Sequence, residues 1–217
     1  VMIVELGLAA VIPGLLVGLH YGVQITRPVW GHKSDTGRSR TQWILGGLAV
    51  LALAGTGAAA TTLLFEQSFF VGIVAAILAY VLIGIGIGAS GTSLLALIAM
   101  KTAVERRAAA ATITWMLMIA GIIVTSIVVG AQLDPYSHER LIAVTAATGL
   151  VAFGIGLLGV AGMEAKPSVD VQEEKKAAAS FSESLRDVLN DGEARLFTLY
   201  IFMSMLAFAT QYLILDP

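Results

Sequence analysis

FFVGIVAAILAYVLIGIGIGASGTSLLALIAM, Phe69 to Met100, decides what kind of protein this chain is. Two readings compete for it. Gly86-x-Gly88-x-x-Gly91 matches the glycine pattern of a dinucleotide-binding turn letter for letter. That pattern works where a strand ends and a helix begins, because its glycines bring a pyrophosphate close to the backbone at the helix N-terminus. No strand pattern precedes it here, and no charged residue occurs between Phe69 and Met100. An unbroken apolar run of more than about 20 residues is instead the length of a membrane-crossing helix. No nucleotide is therefore expected. Within such a helix Gly84, Gly88 and Thr92 recur every fourth residue on one face, the spacing of small residues that lets two helix backbones approach closely.

The rest of the chain agrees with the membrane reading. It is 57% hydrophobic and 13% charged over 217 residues, with a mean hydropathy of +0.86. A soluble domain carries roughly 25% charged residues. About six runs approach spanning length: Leu8–Val29, Trp43–Leu64, Phe69–Met100, Ala108–Leu133, Leu141–Met163 and Leu196–Leu215. They are continuous rather than alternating, so helices fit and barrel strands do not. The third run is long enough to tilt or to extend beyond the bilayer. The fold class expected is an all-α polytopic membrane protein.

Charge sets the orientation. Of the 13 Lys and Arg, all but Arg140 fall between the first and second, third and fourth, or fifth and sixth runs. Cytoplasmic loops collect Lys and Arg, so these three loops are expected in the cytoplasm. Val1 to Gly7 then lies outside without a signal-peptide pattern to carry it there. The expectation is an internal piece of a longer protein, from the end of a first helix to the end of a seventh; a short protein is the alternative. Residues 1–163 read as an N-terminal helical bundle. Residues 164–195 read as a cytoplasmic linker, and 196–217 as the first helix of a second half. Within the linker, Ser180-x-x-Glu183 forms a capping box before the apolar face Phe181, Leu185, Val188 and Leu189, which suits a short amphipathic helix.

Two further stretches carry chemistry. In GLHYGVQ, His20 and Gln24 are four apart and share a helix face inside the first run. Buried polar groups in a membrane are costly and tend to face a cavity. A neutral imidazole can ligate a metal, including the magnesium of a chlorophyll; a histidine hydrogen-bonded to a neighbouring helix remains the plain alternative. In WGHKSDTGRSR, Gly31, Asp35, Gly37, Arg38 and Arg40 form a basic turn whose aspartate can accept from nearby amides or guanidinium groups. This turn resembles the loop that joins helices two and three in the major facilitator superfamily and latches its two halves. One residue is missing between Asp35 and Gly37, and Ser39 interrupts the basic pair. An ordinary basic cytoplasmic loop is the alternative.

Catalytic constellations are absent from the sequence. DPYSHER groups Asp134, His138 and Glu139 in a short outer loop that reads as a helix cap, and no zinc-protease, nucleophile-elbow or Walker pattern occurs. No basic patch combines with exposed aromatics, so no nucleic acid is expected. There is no cysteine. The expectation is no enzyme and no resident metal.

VMIVELGLAA, GLHYGVQITRPVWGHKSDTGRSRTQWI, GIGIGASGTSLLALIAM, RRAAAATITWMLMIAG and LFTLYIFMSMLAFATQYLILDP together resemble the bacteriochlorophyll delivery, or PucC, family of the major facilitator superfamily. The resemblance covers nearly the whole chain outside the 164–195 loop. It implies a facilitator-type bundle of about twelve helices, of which this chain carries the second to the seventh. It implies a role in assembling light-harvesting antenna complexes in the inner, intracytoplasmic membrane of phototrophic bacteria. The implied partners are membrane lipid, bacteriochlorophyll as a transient client, and antenna polypeptides or pigment-synthesis enzymes. A small-solute secondary transporter and a structural subunit of a photosynthetic complex remain the other readings.

Overall fold

The structure is a computed structural model that describes residues 2–36, 39–163, 186 and 190–215, with backbone only at 36 and 205–215. It forms two units, Val1–Lys166 and Pro167–Pro217. The first holds helices α1 (Val11–Val23), α2 (Arg27–Thr36), α3 (Arg40–Gln67), α4 (Phe69–Lys101), α5 (Arg107–Gln132) and α6 (His138–Val160). The second holds α7 (Gly192–Leu215). The linker features expected at Ser180, Phe181, Glu183, Leu185, Val188 and Leu189 lie outside the described residues.

Among the described residues, four helical segments are long and apolar enough to cross a membrane: Arg40–Gln67, Phe69–Lys101, Val104–Gln132 and His138–Val160. With no strand among the described residues, this is an all-α polytopic membrane protein. The 33 residues of α4 extend about 50 Å at the rise of an α-helix, well beyond a hydrocarbon layer of about 30 Å. Many large apolar side chains are exposed. No residue of α5 is buried, and its Met116 and Ile127 are 68% and 67% exposed. In water such a surface would drive association; in lipid it is the ordinary outer face.

The first expected span, Leu8–Val29, needs correction. It is divided into α1 and α2 by a 3-10 turn, Gln24–Thr26. Pro28 supplies the reason. It has no N–H to give the Gln24 carbonyl, and its ring would press on that oxygen in a continuous helix. In the first turn of α2 the same residue is tolerated. Helical backbone then runs on to Thr36, so Gly31 and Asp35, expected in a turn, are helical.

α3 is the centre of the first unit. It packs along α4 and α6, while α1 and α2 lie on α4. Ile44, Leu97 and Val160 form a small buried cluster where α3, α4 and α6 meet, flanked by Leu45 and Leu48. Most other buried positions are small, including Ala54 and Ala59 on α3 and Ala76 and Ala79 on α4. Lipid tails are as apolar as leucine, so helices gain little by burying large apolar groups against each other. Close backbone approach through small residues holds them instead.

Candidate functional site

α4 carries two glycine-lined faces, and the functional side chains are arranged around them. On the first, a Cβ added to Gly84 would lie 2.7 Å from the His20 carbonyl oxygen and 2.8 Å from Val23 Cβ. One turn on, a Cβ at Gly88 would lie 3.3 Å from Trp30 Cδ1. Thr92 Cγ2 sits 3.3 Å from where a Cβ of Gly31 would be. Gly84, Gly88 and Thr92 thus line the track on which α1, the 3-10 turn and α2 rest. The second face is Gly86 and Ser90 against α3. A Cβ at Gly86 would lie 2.8 Å from the Gly47 carbonyl, and one at Gly47 only 2.6 Å from the Ser90 amide nitrogen. The Ser90 hydroxyl donates to the Gly86 carbonyl at 2.7 Å and so stays satisfied inside this contact. Sequence reasoning missed this face, although Gly86 and Ser90 are also four residues apart.

His20 sits near the end of α1, with its carbonyl on the Gly84 track. Its ring lies against that of Tyr21, with centroids 4.1 Å apart and planes tilted by 40°. Among the described residues the ring has no hydrogen-bond partner. His20 is half-buried and Tyr21 exposed. Gln24 does not join His20. It begins the 3-10 turn, and its side-chain oxygen accepts from the Arg27 guanidinium.

Polar groups multiply towards the basic end. Trp30 Nε1–H donates to Thr26 Oγ1 at 2.9 Å, and Thr26 Oγ1–H donates to the Val23 carbonyl at 2.7 Å. These bonds staple the 3-10 turn to both helices. Ser34 is buried and donates to the Gly31 carbonyl at 2.9 Å. Asp35 accepts two bonds from Arg40 on one oxygen, at 3.2 Å from Nε and 2.5 Å from a terminal guanidinium nitrogen. The chain entering α3 is thereby tied to the end of α2. Gly37 and Arg38 lie outside the described residues.

The opposite end holds a cluster that sequence reasoning did not assemble. His138, first residue of α6, places Nε2 2.8 Å from Glu66 of α3. Its Nδ1 lies 2.9 Å from Thr62 Oγ1 and 3.1 Å from the Tyr136 hydroxyl. Thr62 is buried, and its hydroxyl also lies 2.7 Å from the Ala59 carbonyl. Partial burial, helped by the charges of Glu5 and Glu66, holds the Tyr136 phenol above its usual pKa; the Thr62 contact opposes this. The phenol therefore stays neutral. The cap of α6 is Ser137, whose hydroxyl accepts from the Arg140 amide at 3.1 Å. Among the described residues, no three His, Cys, Asp or Glu side chains are grouped so as to hold a metal ion.

Comparison with known proteins places these features in a family. The family model for PUCC protein matches residues 1–217. The chain is 50% identical over 216 residues to the bacteriochlorophyll synthase 44.5 kDa chain of Rhodobacter capsulatus, covering 100% of this chain and 50% of that protein. It is 27% identical over 235 residues to Protein PucC of Cereibacter sphaeroides, again covering 100% of this chain and 50% of the relative. Protein PucC of Rhodovulum sulfidophilum is 25% identical over 231 residues, 100% of this chain and 51% of its own. The chain thus spans about half the length of these relatives. No solved structure matches it.

Proposed function

The chain belongs to the PUCC protein family, and from that premise we propose that it forms part of a photosynthetic membrane protein that passes bacteriochlorophyll to antenna complexes as they assemble. One relative is named for bacteriochlorophyll synthase. The structural observation that carries the reading is His20, an imidazole on α1 beside the exposed Tyr21 ring with no hydrogen-bond partner among the described residues. An unpaired polar group at membrane depth is costly. A magnesium ion at the centre of a pigment would give its free nitrogen a partner, and Tyr21 would lie beside the macrocycle.

In this reading the protein is a carrier and not an enzyme. Bacteriochlorophyll is a transient client, and antenna polypeptides or pigment-synthesis enzymes are the macromolecular partners. The bundle is one half of a facilitator-type architecture in the bacterial inner, intracytoplasmic photosynthetic membrane. Its Lys- and Arg-rich loops face the cytoplasm. The Asp35–Arg40 pair then sits where the superfamily's loop latches the two halves.

The test is isolation from a phototrophic host under mild detergent. Bacteriochlorophyll or antenna polypeptides are expected to copurify with the protein. Recovery of neither, from cells that make both, contradicts the proposal.

A further inference from the structure

A groove of about 530 Å³ opens between α2, α3 and α4 at the basic end of the bundle. Its walls are two helical rows: Gln42, Gly46 and Val50 on α3, and Ile85 and Ala89 on α4. Residues four apart stack along one face of a helix, so the groove runs parallel to the helix axes. From Gln42 to Val50 it extends about 12 Å at the helical rise. A slot of that direction and length suits a linear hydrocarbon chain better than a broad ring.

Gly46 sets this groove apart from the helix contacts around it. A Cβ at Gly47 or Gly86 would strike backbone within 3 Å, whereas one at Gly46 would meet nothing within 4 Å. Helix packing does not demand a glycine at position 46; what it leaves is open space facing the slot. The mouth is framed by Trp30 and Trp43, with ring centroids 5.9 Å apart. Tryptophan pairs of this kind suit the headgroup level of a bilayer.

Charge at the mouth selects among lipids. Lys33 is exposed, and its ammonium lies 5.3 Å from the centre of the Trp30 ring. No carboxylate among the described residues pairs with it, because Asp35 on the same helix is taken by Arg40. We propose that the groove seats one acyl chain of an anionic phospholipid, with the lipid phosphate held by Lys33 beside Trp30 and Trp43.

Quenching of tryptophan fluorescence by lipids brominated high on the acyl chain tests this. Trp115, 54% exposed on α5, and any tryptophan outside this sequence are first changed to Phe so that only Trp30 and Trp43 report. The detergent-purified protein is titrated with brominated phosphatidylglycerol and with brominated phosphatidylcholine of the same chain. Saturable quenching is expected, with phosphatidylglycerol effective at about one fifth the concentration, the worth of one lysine near an anionic surface. Lys33→Gln should erase that preference. Gly46→Leu should fill the slot and abolish saturable quenching by both lipids, without lowering the unfolding midpoint. Non-saturable quenching, equal curves for the two lipids in the unaltered protein, or a preference that survives Lys33→Gln overturns the proposal. So does absence of quenching, the result expected if protein covers the groove.

Discussion

The two glycine faces of α4 look alike in sequence and differ in what they touch. At Gly86 the approach is backbone to backbone and reciprocal, since Gly47 opposite is equally close. α3 is also packed against α6, which limits how far it can shift. At Gly84 the contact is with the His20 carbonyl and Val23, on α1, which rests chiefly on α4. At Gly88 the neighbours are the Trp30 and Arg27 side chains, at 3.3 and 3.7 Å, so a shift of a few tenths of an ångström suffices. One face fixes the scaffold; the other positions the helix that carries His20. Fixing the scaffold and seating α1 therefore use the same residue type at the same spacing, and only the freedom of the partner separates them.

Substitutions should break this comparison in a fixed order. Gly86→Ala forces a methyl group into the α3 backbone and is expected to lose about 3 kcal/mol, the upper range for overpacking. Reversible unfolding in mixed micelles measures it. Gly84→Ala should lose about 1–2 kcal/mol in the same assay, because α1 can shift to relieve the clash. It should also displace the His20 turn and lower pigment retention more than Gly86→Ala does at matched stability. Gly88→Ala is expected to stay below about 1 kcal/mol, with the change seen in Trp30 fluorescence. Equal losses at Gly84, Gly86 and Gly88 would erase the distinction between the faces.

The polar ties at the two ends of the bundle sharpen the same point at smaller scale. Glu66→Gln breaks a contact between α3 and α6 and should lose about 1 kcal/mol, since the carboxylate is half exposed and screened by solvent. Asp35→Asn removes a tie between residues five apart in sequence, and about 0.5 kcal/mol or less is expected. Both are read as shifts in the unfolding midpoint.

The charge-free stretch from Phe69 to Met100 announced α4, because length and apolar continuity are properties of a segment by itself. The break in the first span was legible in principle: Pro28 stands within it, and the carbonyl four residues earlier has no N–H to meet. A hydropathy reading ran past that proline. Asp35 and Arg40 lie close enough in the chain for their tie to be anticipated, although the helical placement of Gly31 and Asp35 was not. Glu66 and His138 lie 72 positions apart, and nothing near either one points to the other. Their meeting depends on how α3 and α6 pack, a property of the whole bundle. The same holds for Gly46 and Gly47, adjacent and identical in sequence, one facing an open groove and the other pressed against α4.

The central claim, that α1 presents His20 to a pigment, is tested most directly by one absorption spectrum. The protein and its His20→Ala variant are purified side by side in mild detergent from a host that makes bacteriochlorophyll. The unaltered protein is expected to carry the long-wavelength absorption of bound bacteriochlorophyll, and the variant to lose most of it while unfolding at the same midpoint. Equal pigment in both samples, or none in either, contradicts the account.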